Sequence, residues 1–289
     1  MTTTLPCNQV TIGWNGIRLA VPAHWETIVS GPSHLIFEDD FNPVFQIRWK
    51  KIGPLSPQKW QEKCDLWWQQ LGVAASTVKL PSELNKLTDK FSHTRYYQGK
   101  QAMESGGICY CDHCETLFFF QQLSADSNLW KMTEDLLCQL SCHGATDTLW
   151  QIQDFSLTTP GQYSLTGYTF KTGLTRLSFS AANYDLHICR LAQASNRLST
   201  QSLEDIHLGL AGTKDLQLDE NKNKTLSCGT RAPSLTRQLL LRLRREKPFI
   251  ESRLWLLEDS DRLLACIAYS KRPIPTNDLN LCYETFKIV

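Results

Sequence analysis

The apolar residues of this chain recur at every second position through stretches of both halves. Near the N-terminus the alternation runs through Ile17, Leu19 and Val21, and a period of two is typical of strands that bury one face. A helical period follows the dipeptide Ser56-Pro57, because serine is favoured at a helix N-cap and proline at the first helical position. The pattern therefore predicts groups of strands separated by helices.

The two halves of the chain open with the same spacing of proline and aromatic residues. Pro22 is followed three residues later by Trp25, and Pro160 by Tyr163, at a constant offset of 138 residues. Each half then continues with strands, a helix, further strands and a closing helix. Self-similarity over a long period is the sequence signature of repeated units, so we predict a tandem duplication.

This order of elements predicts an α+β fold made of two tandem, similar units. Each unit is expected to be an antiparallel sheet with helices packed on its faces. The first unit is predicted to cover residues 1–144 and the second residues 145–289. Within the second unit, alternation over residues 237–244 predicts a strand, and the polar run within residues 211–227 predicts a solvent-exposed loop.

The opening of the chain carries a family resemblance. The segment Gly16–Trp25 has the form Gly-Ile-x-Leu-x-Val-Pro-x-x-Trp, and together with the element order it resembles the PsbP-like fold. That fold is shared by the photosystem protein PsbP, a nuclear-transport cofactor that binds a small GTPase, and the bacterial DcrB lipoproteins. The resemblance implies that both halves take this fold and that the role is binding or scaffolding, and it transfers no functional residue.

Composition and charge narrow the classes of function. Thirty basic side chains against twenty-nine acidic ones give a net charge of +1, so the summed field does not attract nucleic acid or an anionic membrane. No leader-like or membrane-spanning apolar run is evident. The eleven cysteines are an odd number at low density, which suits reduced thiols in a cytosol. We expect a cytoplasmic protein with neither nucleic acid nor membrane among its partners.

The candidate chemistry is concentrated in a predicted turn between two strands, where Cys109, Cys111, His113 and Cys114 occur within six residues. A Cys-x-x-Cys pair on a hairpin can direct two thiolates at one tetrahedral metal ion, and zinc in a structural site needs four ligands. Further ligands could come from the closing helix of the first half and the residues after it, namely Cys138, Cys142 and His143.

Three interpretations of this turn remain open. The equivalent turn of the second half is Glu258–Asp261 and has no cysteine, so the unit can be built without a metal, and reduced, partly buried thiols with no cofactor are expected first. A zinc site that uses Cys111 and Cys114 with Cys109 and His113 is the second interpretation. A redox pair is the third, and it is disfavoured because the motif does not begin a helix.

Other polar clusters are explained more simply by structure. Glu38, Asp39 and Asp40 could act in acid/base chemistry, but a turn between strands also favours such residues. The basic run Arg237–Lys247 could meet phosphate or an acidic partner, although its alternation fits a strand with one solvated face.

The tryptophans of the first half suggest a core. Trp60 and Trp67 share one face of the first predicted helix, which indicates burial, while Trp68 points elsewhere and marks either packing between the halves or an exposed groove.

We therefore expect a non-catalytic binding or scaffold protein with a protein or small-molecule ligand, bound in a groove between the two repeats. Familiar catalytic signatures are missing from the sequence, which disfavours an enzyme. The alternative is a zinc-binding protein or metal-dependent enzyme that uses the Cys109–Cys114 turn.

Overall fold

A computed structural model describes residues 8–70, 76–78, 84–98, 105–124, 129–219, 225–275 and 279–289, with the side chains of residues 67–70, 76–78, 98 and 129–131 left out. The chain divides into two units. The first comprises Met1–Ala145 with Leu149–Gln153, and the second comprises Thr146–Thr148 with Asp154–Val289.

Strands dominate the described part of the chain. The elements up to the boundary between the units are β1 Gln9–Trp14, β2 Ile17–Pro22, β3 Glu26–Gly31, β4 His34–Asp39, β5 Asn42–Lys51, α1 Pro57–Gln70, β6 Ser76–Val78, α2 Leu87–Lys90, β7 His93–Gln98, β8 Gly106–Cys111, β9 Thr116–Gln122, α3 Leu129–Gln139 and β10 Asp147–Ile152. Those that follow are β11 Phe155–Pro160, β12 Ser164–Lys171, β13 Leu174–Ser180, β14 Tyr184–Ala192, α4 Ala194–Leu198, α5 Leu203–Ala211, β15 Gln217–Leu218, β16 Leu226–Arg231, α6 Leu235–Leu243, β17 Phe249–Leu257, β18 Arg262–Ser270, α7 Asn280–Thr285 and β19 Lys287–Ile288.

Each unit contains a seven-stranded antiparallel sheet. The order is β3-β4-β5-β9-β8-β7-β6 in the first unit and β12-β13-β14-β18-β17-β16-β15 in the second. When the strands of each sheet are numbered along the chain, the two sheets have the same strand order. In the first unit β1 also pairs with β2, and through Gly13 and Gln151 with β10, while in the second unit β11 pairs with β19. That the units arose by duplication and share a PsbP-like fold stays a prediction.

The core of the first unit lies between α1 and the central strands. Every residue of β9 is buried, and Leu117 and Phe119 of that strand belong to one apolar cluster with Trp60 of α1. The predicted helix start is confirmed, because the Ser56 hydroxyl accepts a hydrogen bond of 3.3 Å from the Lys59 amide. Burial of Trp60 is confirmed as well. The predictions for the side chains of Trp67 and Trp68 fall outside the described residues.

In the second unit α5 covers the sheet in the same manner. Leu203 and Ile206 of α5 form one cluster with Leu254 and Leu263, from β17 and β18. The helix begins after Ser202, whose hydroxyl accepts a 3.0 Å hydrogen bond from the Asp205 amide. Among the described residues, no helix is long and apolar enough to cross a membrane.

The predicted α+β class is wrong. The fold is mostly antiparallel sheet, with 48% strand and 23% helix, and is closer to all-β than to α+β, although α1 and α5 each pack on a sheet. The physical reason is that the central strands carry most of the apolar burial. β9 is buried throughout and β18 at all but two positions, whereas α6 buries only Leu241.

The strand predicted over residues 237–244 is also wrong, because these residues lie in and just after α6. Leucine occupies every second position of this segment from Leu239 to Leu243, but leucine and arginine are both good helix formers, and Pro233 and Ser234 stand where a helix begins. The loop predicted over residues 211–227 contains the short strand β15 and the start of β16.

Gly106 allows a close approach of two central strands. A Cβ atom there would overlap the carbonyl oxygen of Phe120 and lie 2.8 Å from the Tyr97 hydroxyl. We expect Gly106→Ala to lower the free energy of unfolding by about 1–3 kcal/mol, as overpacking does, in urea titrations. Gly209→Ala is the control, because its Cβ would meet nothing within 4 Å inside α5, and it should be neutral or stabilising. Equal stability of Gly106→Ala and the parent protein would contradict this account.

Candidate metal centre

The first arm of the candidate site is the turn between β8 and β9. Cys111 ends β8 opposite Thr116 of β9, and Cys114 lies in the turn. Two hydrogen bonds hold the turn in place, since the Thr116 hydroxyl donates to the Cys114 carbonyl at 3.1 Å and the Ile52 amide donates to the Glu115 carbonyl at 2.9 Å. The two sulfur atoms therefore project from a fixed backbone.

The second arm is the segment that follows α3. Ser141 forms a bridge to Arg18 of β2, in which each residue donates its amide to the other's carbonyl at 2.8 Å. Cys142 and His143 come directly after this bridge, and Gly144 has a φ of 87°, a conformation that glycine adopts without strain. The bridge places Cys142 and His143 beside the β8–β9 turn, although 27 residues separate Cys142 from Cys114 in the sequence.

Four ligand atoms converge where the two arms meet. One atom from each of Cys111, Cys114, Cys142 and His143 lies within 4.8 Å of all the others. The Nδ1 atom of His143 is 3.5 Å from the Cys111 sulfur and 3.3 Å from the Cys142 sulfur. Zinc–sulfur and zinc–nitrogen bonds of about 2.3 and 2.0 Å place sulfur and nitrogen about 3.5 Å apart in a tetrahedral site. These two sulfur–nitrogen distances match a tetrahedral site, and the other donor pairs lie within 4.8 Å.

Burial favours the protonated thiols of Cys114 and Cys142 when no cation is bound. Burial raises the pKa of Cys142, and the neighbouring thiols of Cys114 and Cys111 raise it further. Burial also raises the pKa of Cys114. A redox cysteine needs a lowered pKa, so these shifts disfavour the redox interpretation. A divalent cation would reverse them by stabilising the thiolates.

Lys90 places a cation beside the cluster. Its ammonium group donates a hydrogen bond to the Cys138 carbonyl. Burial lowers the pKa of Lys90, and the nearby thiols of Cys138, Cys142 and Cys111 raise it. Three thiolates and one zinc ion carry a net charge of −1, which an ammonium group compensates. Sequence reasoning missed Lys90 because α2 lies in a segment that shows neither strand nor helix periodicity.

The other predicted ligands lie near the cluster but outside the converging set. Cys109 is completely buried, and burial raises its pKa to about 12. The His113 ring packs against the His143 ring with centroids 4.7 Å apart, yet it contributes none of the four atoms. Cys138 is half-buried at the end of α3.

The turns that lack cysteine are held by other means. Asp40 and Phe41 have φ values of 47° and 61°, so the carboxylate cluster Glu38–Asp40 ends in a tight hairpin turn, which supports the turn interpretation. Between β17 and β18, the Asp261 carboxylate accepts hydrogen bonds from the amide and hydroxyl of Ser195 at 2.7 and 2.8 Å. The second unit thus fixes its equivalent turn by a carboxylate.

Comparisons with known proteins yield one structural neighbour. No family model and no curated protein matches the chain. A solved structure, the immunity protein TplEi of the T6SS from Pseudomonas aeruginosa complexed with "L" peptide, aligns with 9% sequence identity over 97% of this chain and 98% of that one, at a TM-score of 0.34. This likeness is too low to show a shared fold.

Proposed function

We propose that this chain is a zinc-binding protein in which Cys111, Cys114, Cys142 and His143 hold one structural zinc ion. The observation that carries the proposal is the convergence of their four ligand atoms within 4.8 Å. Three sulfur donors and one imidazole nitrogen suit zinc, because carboxylate and carbonyl oxygens are the donors that calcium and magnesium prefer.

The four protein ligands support a structural role for the ion. Structural zinc sites are closed by four protein ligands, whereas catalytic sites keep a position for water or substrate. A closed site would tie the β8–β9 turn to the segment after α3 and would take no part in a reaction. This role agrees with the expected class of a non-catalytic binding or scaffold protein, which stays a proposal, as does its cytoplasmic location.

Elemental analysis of the purified protein tests the proposal. We expect about one zinc per chain after incubation with excess zinc and gel filtration. His143→Ala should weaken zinc binding by more than about 100-fold in competition with a chromophoric chelator, because outer-shell changes alone cost 10–100-fold.

His113→Ala is the matched control. The two histidines are both exposed and their rings are in contact, but only His143 supplies a converging atom. His113→Ala should therefore retain zinc with little change in affinity. A protein that holds no zinc under these conditions, or an equal loss in both variants, would refute the site, and iron in its place would refute the choice of metal.

A further inference from the structure

The helix α6 in the second unit presents most of its leucines to solvent. The side chains of Leu235, Leu239, Leu240 and Leu243 are 79, 61, 56 and 81% exposed, whereas Leu241 is 7% exposed. Four exposed leucines in a nine-residue helix are unusual, because a surface helix ordinarily turns its apolar stripe to the core.

These leucines lie on the sides of α6 that are turned away from the buried Leu241, with Leu240 between the others and Arg244. At about 100° per residue, Leu235, Leu239 and Leu243 follow one another along the helix roughly opposite Leu241. The same spacing places Arg242 at one border of the stripe and Arg244 at the other. We call this surface the leucine stripe.

A cavity of about 350 Å³ lies beside the stripe, with Leu240 in its wall. The charged residues of its lining comprise four cations and two carboxylates, namely Arg231, Arg237, Arg244, Lys247, Asp215 and Glu246. Ion pairs inside the second unit hold Arg237 to Asp215 and Lys247 to Asp185. With the Asp185 carboxylate counted, four cations face three carboxylates, so the cavity keeps an excess of one positive charge next to an apolar surface.

We propose that α6 docks an acidic, amphipathic helix of a partner protein, which packs aliphatic side chains on the leucine stripe and inserts a carboxylate into the cationic cavity. The spacing of i, i+4 and i+8 along the stripe is the spacing by which one helix packs against another. The arginines at both borders select glutamate or aspartate beside the partner's apolar residues. A second copy of α6 would bring arginines against arginines, so charge disfavours self-association. The proposal does not depend on zinc, because α6 belongs to the second unit.

Two synthetic peptides test the surface. Both are 21-residue amphipathic helices with the same leucine stripe, flanked by glutamates in one and by lysines in the other. Fluorescence anisotropy with the full-length protein should show that the acidic peptide binds at least about 10-fold more tightly, and that salt weakens its binding.

Variants of the protein locate the contact. Leu239→Ser combined with Leu243→Ser should weaken binding of the acidic peptide at least 10-fold without unfolding the protein, since both side chains are exposed. Arg244→Gln should weaken binding and reduce its dependence on salt. Leu66→Ser is the control, because Leu66 is a 49% exposed leucine on a helix of the first unit, and it should leave binding unchanged.

Four outcomes would overturn the proposal. The first is that the protein shows no preference for the acidic peptide, and the second is that Leu66→Ser loses as much binding as the double leucine variant. The third is that the protein binds phosphatidylserine vesicles through the leucine stripe but does not bind the acidic peptide. The fourth is a concentration-dependent dimer that the double leucine variant abolishes.

Discussion

Cys114→Ser is expected to lower the stability of the zinc-loaded protein by about 4 kcal/mol when free zinc exceeds the dissociation constant 1,000-fold. Serine has nearly the shape of cysteine but does not replace a zinc thiolate, so the variant loses the metal and little packing. Because a ligand that binds only the folded state adds its binding free energy to stability, the loss should equal the stabilisation that zinc provides. The measurement is thermal or urea unfolding with excess zinc.

Unfolding of the same variant in the presence of a chelator separates the contribution of the metal to stability from that of packing. Without zinc, Cys114→Ser and the parent protein should unfold within about 1 kcal/mol of each other. Cys228→Ser, which changes the same atom at a half-buried thiol of the second unit, should show no response to zinc beyond that of the parent. If Cys114→Ser loses the same stability with and without zinc, the cysteine acts through packing and the zinc interpretation fails.

One arm of the candidate site could be predicted from the sequence and the other could not. Cys111 and Cys114 are three positions apart across a turn between strands, so the predicted hairpin alone brings their side chains together. Cys142 and His143 could be named only as further candidates, because their approach depends on the bridge between Ser141 and Arg18. That bridge joins residues more than a hundred positions apart, and no local pattern encodes it.

Two of the predicted strands have opposite outcomes for a physical reason. One of the two strands predicted on either side of the cysteine turn is β9, because a short apolar run bounded by turn residues has few alternatives. Residues 237–244 instead carry leucine at every second position from Leu239 to Leu243, a spacing that a leucine-rich helix also shows. The helix propensities of leucine, arginine and glutamine decide the outcome there. The period of the apolar residues alone does not decide between strand and helix for a segment that buries only one side chain.

His207 should make the second unit sensitive to acid. This α5 side chain is completely buried, with Nδ1 2.8 Å from the Ser227 hydroxyl and Nε2 2.8 Å from the Ser252 hydroxyl. The Ser252 hydroxyl donates to the Gly229 carbonyl at 3.1 Å, so it accepts a hydrogen bond from the Nε2–H group. Burial lowers the pKa of His207 to about 4, so the ring is neutral at pH 7 and Nδ1 accepts a hydrogen bond from the Ser227 hydroxyl.

Acid should destabilise the protein through this residue by about 3 kcal/mol. In the unfolded chain the histidine titrates near its ordinary pKa of about 6.5, so the unfolded state takes up the proton first as the pH falls. The contribution of neutral His207 is complete above about pH 6.5 and is lost progressively between about pH 6.5 and 4. His207→Gln should be less stable at neutral pH but lose less stability over this range than the parent protein. The measurement is urea unfolding at several pH values in chelator, which removes any contribution from zinc.

The exposed His24 supplies the control for this prediction. His24→Gln removes a surface histidine that lies 3.8 Å from the Asp39 carboxylate, and an exposed pair of this kind contributes little to stability. The stability of this variant should therefore fall with pH about as steeply as that of the parent protein. Carboxylates and the remaining histidines titrate in all three proteins, and their contributions cancel in the comparison. His187, whose pKa burial also lowers to about 4, is likewise common to all three. If the stability of His207→Gln has the same pH dependence as that of the parent, the folded protein accommodates protonated His207 without loss of stability, and the prediction is wrong.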